Sequence, residues 1–516
     1  MTITRAIRER TWDVVSNAVN RFCHKCSPYS PRHVATSKTL ELADIQGIVV
    51  RGYGKLRAAA FVLLEVTDAE AARRWLGSLA DEVMDSRERP EEACVNLAMT
   101  HAGLAALGLS PAALGSFALE FRQGMAGANE HRSRILGDVG DNAPEHWRWG
   151  GPSTEAVHVA LLLYALDEEK LAAYYQGHEA RFAAGGVAVV QKLDTVYIGR
   201  NEHFGFRDGI GQPVIAGYKE GSEGNSINPG EFLLGYENEY GALPPTPTVD
   251  AASDPHDVLP PAPGGEGKDL GKNGSYLVFR QLSQDVQAFW RFADRHAKGD
   301  PAERVRLASK MVGRWPGGAP MALSPDKDDP SLSDSDDFLY YPHDAHGYNC
   351  PIGSHVRRTN PRDSLEPNPG SQESLKVGKR HRIIRRGRAY GPPVAESMDP
   401  DEILEQDAGD AERGLHFLCF NTNITRQFEF IQFTWSNSKK FDGLYNDADP
   451  LIGEHNPEQK EGVTGDFNVQ ARPVRQRLTG LTRFVNVKGG GYFFLPGKTA
   501  IRYLASLPDQ RVTRRT

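Results

Sequence analysis

Three stretches combine residue types that can do chemistry. Asn201–Pro213 reads NEHFGFRDGIGQP and sets Arg207 and Asp208 back to back among aromatics and glycines. Gly205, Gly209 and Gly211 permit backbone geometries that other residues resist, and they leave room for something flat to approach the backbone. An Asp before Gly commonly caps a turn. It is also an acid that can take up and return a proton within hydrogen-bond reach of a reacting group. Tyr348–Ser364 reads YNCPIGSHVRRTNPRDS, a single histidine, His355, among Arg357, Arg358 and Arg362. In an extended segment Arg357 shares a face with His355. His381–Pro393 reads HRIIRRGRAYGPP, arginines around an apolar pair before a Gly/Pro turn. Its ordinary reading is an amphipathic edge strand with solvated arginines.

An imidazole beside several cations suits an anionic ligand that also needs a nitrogen donor. Heme meets that description: its iron takes one imidazole, and its propionates take arginines through charge-assisted pairs. A lone histidine among polar residues more often serves packing, so this segment alone leaves both readings open.

The elements that must position these stretches are legible in part. Asp44–Val66 holds two apolar runs of strand length, Ile45–Val50 and Ala60–Val66. A helix follows, with Thr67 or Asp68 as N-cap and Ala71, Ala72, Trp75, Leu76 and Leu79 on its buried face. Ala242–Asp269 is rich in Pro and Gly and poor in apolar residues, so it predicts a linker or long surface loop. Beyond it the pattern restarts: Tyr276–Arg280 as a strand, then Leu282, Val286, Phe289 and Trp290 at helical spacing. Ser324–Asp337 is acidic and predicts a solvated surface excursion. Phe484–Gly497 predicts a strand, a glycine turn and a second strand.

The bulk properties exclude more than they assign. At roughly 100–200 residues per domain, a chain of 516 residues implies several domains. A net charge of −7 argues against a general nucleic-acid binder. The five cysteines are too few and too scattered for a disulfide framework, and the CxxC at Cys23–Cys26 lacks a second pair to complete a zinc site. No signal-peptide core and no apolar run of membrane-spanning length is seen, which makes a cytoplasmic location the expectation.

Together, in order and spacing, the three stretches closely resemble the signatures of the dye-decolorizing peroxidases. HFGFRDGIGQP is similar to that family's GxxDG element, with Phe206 at the first glycine's place. CPIGSHVRRTNPRD resembles its proximal-histidine segment, RRGRAYGP its distal-arginine segment, and Arg413–Trp435 a further shared block. The match runs from about residue 41 and is closest to the longer bacterial and fungal members. It implies an α+β fold of two ferredoxin-like domains with antiparallel sheets and surrounding helices. The expected bounds are an extension 1–40, a first domain 41–241, a linker or loop 242–270, a heme-binding domain 271–510 and a basic tail 511–516.

The resemblance implies one heme b per chain, with His355 on the iron. It implies Asp208 and Arg385 as catalytic groups on the opposite face, and Arg357 and Arg362 as propionate partners. His203, Phe206 and Gly209 are placed beside the cofactor, and Leu415 and Phe417 line the peroxide pocket. Glu429 is expected to accept the second N–H of His355. Arg386 adjoins Arg385, so the register of the distal arginine is open by one residue. The implied activity uses hydrogen peroxide to form an oxo-ferryl species and oxidises bulky dyes or phenols in one-electron steps. Tyr340, Tyr341 and Tyr348 are candidate electron-transfer residues. The alternative is a heme-binding, transfer or iron-release protein with little turnover.

Overall fold

A computed structural model of the protein describes residues 39–127, 130–455 and 465–508. The CxxC and the basic tail lie outside these residues, as does nearly all of the 1–40 extension. The first half is built from β1 (Ala58–Val66), α1 (Ala69–Glu82), β2 (Ala93–Met99), β3 (Val159–Ala165), α2 (Glu168–Glu179) and β4 (Val187–Asp194). The Asp68 carboxylate accepts the Ala71 N–H at 2.9 Å and so starts α1 where the sequence predicts. Ala71, Ala72, Trp75, Leu76 and Leu79 are its buried face, as their spacing requires. β1 divides its side chains between two cores: Ala58, Ala60, Val62 and Leu64 point to one, and Ala59, Phe61 and Leu63 to the other.

The second half repeats this plan with β5 (Ser275–Gln284), α3 (Val286–Ala297), α4 (Pro301–Val312), α5 (His355–Thr359), β6 (Ile384–Arg385), β7 (Arg388–Tyr390), β8 (Gly414–Asn421) and β9 (Val485–Leu495). The strand order is β2-β3-β1-β4 in the first half and β6-β8-β5-β9 in the second, with β7 also on β8. All of these pairs are antiparallel. Both halves thus have the ferredoxin-like order. β9 abuts β2 through Phe494 and Met99, which joins the halves into one nine-stranded sheet.

Four expectations change. Ile45–Val50 is not a strand: it ends in a short helix, Gly47–Val50, and the Arg386 side chain takes the Ile48 and Val49 carbonyls that a strand partner would have taken. Phe484–Gly497 contains no turn, because β9 runs straight through its glycines with a bulge between Val487 and Gly489. A Cβ on Gly489 would lie 2.4 Å from the Trp149 indole nitrogen, so this glycine admits a packed ring rather than a chain reversal. The Pro/Gly-rich stretch is a packed cover, with Thr248–Val249 pairing with Lys268–Asp269 and Val249, Leu259 and Leu270 buried in the core. The acidic excursion is tied to the body through the exposed Asp334, which pairs with Arg207, and turns inward at Asp336.

Candidate active site

A cavity of about 280 Å³ lies against one face of the second half's sheet, between β5, β8 and β9 on one side and the loops around α5 on the other. Strand alternation puts Leu415 and Phe417 on this face of β8, while His416 and Leu418 pack behind it. Leu282 and Gln284 of β5 and Val485 and Val487 of β9 continue the wall. Asp208, Arg385, His355 and Arg362 all line the same space, although up to 177 residues separate them in sequence.

The loop carrying Asp208 is closed by its own backbone. Glu202 N–H donates to Phe206 O, Gly205 N–H to Glu202 O, and Asp208 N–H to Arg200 O at 2.8 Å. The Glu202 carboxylate accepts from Phe204 N–H, Phe206 N–H and the Gln284 amide, so it ties the loop both to itself and to β5. Desolvation raises Glu202 to about 7, against those three donors. The turn needs Gly205, Gly209 and Gly211 at φ values of +91°, +79° and +64°. Phe206 lines the cavity and stacks on Trp290 with ring centroids 6.0 Å apart. Arg207 pairs with Asp334 at 2.8 Å, which draws the acidic loop onto this rim.

Arg385 Nη1 donates to Asp208 Oδ1 at 3.4 Å, and both side chains are about one-third exposed, at 35% and 36%. Of the two arginines left open by the sequence, Arg385 is the one that lines the cavity. Arg386 points to the other side of the sheet and bonds Ile48 O and Val49 O, and burial pulls its guanidinium down to about 10.

His355 begins α5. Its Nδ1 lies 2.9 Å from Asp449 Oδ2, and no partner for Nε2 is found among the described residues. Asp449 is 0% exposed at its side chain, and its other oxygen accepts from Leu451 and Ile452 N–H. Burial pushes the Asp449 carboxyl up, but the His355 ring, Arg358 and the backbone donors outweigh it and hold the group below the usual carboxylate range. An Nδ1–H donating to this carboxylate leaves Nε2 as the free lone pair on a ring that lines the cavity.

Several sequence expectations are corrected. Asp449, not Glu429, meets His355. Glu429 lies elsewhere in the core, ion-paired with Arg132 and accepting from the Tyr492 hydroxyl at 2.7 Å. Arg357 does not line the cavity: it is fully buried, and its Nη1 donates to Asp344 and to the Asp344 and Cys350 carbonyls. A short helix replaces the extended segment that would have put it beside His355. His203 points away, its Nε2 2.9 Å from Tyr390 O, and burial lowers it to about 4. Gly209 is exposed beside the cavity rather than in its wall. Tyr340 lines the cavity and is buried, whereas Tyr341 and Tyr348 are exposed.

The sequence reading missed Asp449, Arg314 and Asp336. Asp336 accepts from Arg362 at 2.5 Å and from Arg314 at 3.1 Å, so one carboxylate serves two cavity-lining cations. The only sequence signal was an acid inside a loop, which does not mark a buried one.

The lining suits a flat, amphipathic anion with an acceptor for a nitrogen lone pair. Its walls are largely apolar, His355 Nε2 is available, and four buried nitrogens of lining arginines, Arg207 Nε, Arg280 Nε, Arg362 Nε and Arg483 Nη1, have no partner among the described residues. These are the features heme requires.

No family model matches the chain. Among curated proteins it is 28% identical to peroxidase 2 of Mycetinis scorodonius over 92% of this chain and 89% of that protein. It is 27% identical to the multifunctional dye peroxidase of an Amycolatopsis species over 90% and 96%. Among solved structures, a dye-decolorizing peroxidase in complex with 2,6-dimethoxyphenol superposes with a TM-score of 0.71 at 26% identity, covering 90% of this chain and all of that one. A fungal enzyme of the same type from Auricularia auricula-judae gives 0.71 at 24% identity, which bears on the fold. With nine-tenths of its length aligned and the three signature segments gathered on one cavity, the chain is similar in sequence and in fold to dye-decolorizing peroxidases.

Proposed function

We propose that the cavity takes one heme b, with His355 Nε2 on the iron and Arg362 and Arg207 toward the propionates, and that the enzyme reduces hydrogen peroxide with electrons from phenols or dye-like aromatics. The observation that carries this is one cavity lined by His355, whose Nδ1 is held by Asp449, and by the Asp208–Arg385 pair with Leu415 and Phe417. Bound heme supplies the iron at which the peroxide O–O bond is split.

The protein's own part is proton handling and exclusion. Asp208 accepts a proton from one peroxide oxygen and returns it to the other, a task worth about 10²–10⁴-fold in rate. Arg385 holds the Asp208 carboxylate in place and offers N–H donors to the charge that develops on the departing oxygen. Leu415 and Phe417 keep the pocket apolar, so that peroxide rather than bulk water meets these groups. Asp449 fixes the His355 tautomer and makes its imidazole a stronger donor. Peroxide-dependent oxidation of 2,6-dimethoxyphenol or an anthraquinone dye, measured against an equal amount of free hemin, tests the reading. Turnover far above free hemin is expected, and turnover equal to it contradicts the proposal.

A further inference from the structure

The corrected position of Glu429 exposes a second arrangement that the peroxide chemistry does not use. Tyr492, on β9, is 2% exposed and donates its phenolic O–H to Glu429 Oε1 at 2.7 Å. Burial and the neighbouring carboxylate both push the phenol far above its ordinary range, so it carries its proton at any working pH. The ring lies one side chain behind the cavity wall. Its centroid is 6.4 Å from that of Phe428, which lines the cavity and lies 6.2 Å from Phe417, also in the lining. The proton side leads outward. Thr425 Oγ1 lies 3.3 Å from Glu429 Oε2, within hydrogen-bond reach of Glu120 as well, so its one proton can serve either carboxylate, and it is itself exposed. A phenol can yield an electron at a moderate potential only if its proton leaves with it, and a buried phenol can do so only onto a built-in base. Glu429, whose Oε1 is also ion-paired with Arg132, is that base, and its second oxygen faces the exposed Thr425.

We propose that Tyr492 is an internal one-electron donor to the oxidised heme centre, with Glu429 receiving its proton. This rests on the peroxidase reading above, which supplies the oxidant. In the step the phenol O–H bond breaks. The electron goes to the heme centre, which is reduced by one equivalent, and the proton goes to the Glu429 carboxylate, which becomes a carboxylic acid. A neutral phenoxyl radical remains on Tyr492. Being buried, it does not meet bulky substrates and instead draws off an oxidising equivalent when no reducing substrate is present. This separates it from exposed tyrosines such as Tyr341 and Tyr348.

The test is rapid-freeze electron paramagnetic resonance of the holoenzyme after one equivalent of hydrogen peroxide without reductant. Natural and ring-deuterated tyrosine are compared in the parent and in Tyr492→Phe. The expected result is a radical signal that narrows on ring deuteration and is lost in Tyr492→Phe, whose heme content and peroxide-induced spectral change remain. The same signal in Tyr492→Phe overturns the proposal, as does a peroxide-induced spectral change in the parent with no tyrosyl signal. If peroxide changes the heme spectrum of neither protein, the peroxidase reading fails and this one fails with it. A second measurement needs no variant: in deuterated water the radical should form several-fold more slowly, and an unchanged rate overturns the coupled proton step.

Discussion

Two parts of the cavity lining are built to different standards. On one, His355 meets an acid with no solvent exposure, whose second oxygen is held by two backbone N–H groups. On the other, Asp208 and Arg385 sit 3.4 Å apart, each about one-third exposed, on a glycine-rich loop and the short edge strand β6. A ligand to a metal gains from a fixed direction, so burial and repeated hydrogen bonding suit it. A proton carrier must reach one oxygen and then another, so a looser pair with access to small molecules suits it. Glu202 supplies the minimum of order on the loose side by anchoring the loop to β5.

The contrast can be broken by substitution, with the largest effect on the rigid side. His355→Ala removes the imidazole proposed to hold the heme iron. The ratio of heme absorbance to protein absorbance should collapse, and an unchanged ratio and spectrum would reject His355 as the ligand. Asp208→Asn should keep heme and slow the reaction with peroxide by about 10²–10⁴-fold. Stopped-flow rates equal to the parent's would remove Asp208 from proton transfer. Asp449→Asn should weaken heme retention by about 10–100-fold, whereas Glu429→Gln should leave the competition of apomyoglobin for heme unchanged. Reversal of that order would restore the original expectation for Glu429.

Two smaller effects sharpen the comparison. Arg386→Leu leaves the Ile48 and Val49 carbonyls without their partner and should cost about 1–3 kcal/mol of stability by chemical denaturation. Arg385→Leu should instead slow the peroxide reaction with little loss of stability. Equal behaviour of the two variants would deny that they face opposite sides of the sheet. Glu202 is raised to about 7 in the fold, so between its ordinary range and about 7 the folded state binds more protons than the unfolded one. Its contribution therefore makes stability fall as pH rises across that window. Denaturation midpoints at pH 5 and pH 8 should differ less in Glu202→Gln than in the parent.

The sequence carried the fold where periodicity and caps agreed, as at Asp68 and α1, and where strand and helix restarted at Tyr276. It failed where one residue type serves two purposes. The glycines of β9 look like a turn but make room for Trp149. Arg357 looks like a ligand cation but is bound to the interior of its own loop. That Asp208, Arg385 and His355 gather on one cavity was legible because each sits in a distinctive local string. Asp449 and Asp336 were not, because an acid that is buried and paired only in three dimensions is spelled like any acid in a loop. Glu429 was misassigned because its segment resembled the family block, while its contacts are set by Arg132 and Tyr492.

The most direct test of the central claim is the absorption spectrum of the purified protein, reconstituted with hemin if needed, before and within milliseconds of adding one equivalent of hydrogen peroxide. The account predicts a Soret band that shifts at once and returns when a phenol is added. A band that peroxide only bleaches would contradict it in favour of a heme carrier. The absence of any Soret band after hemin addition would contradict the assignment of the cavity itself.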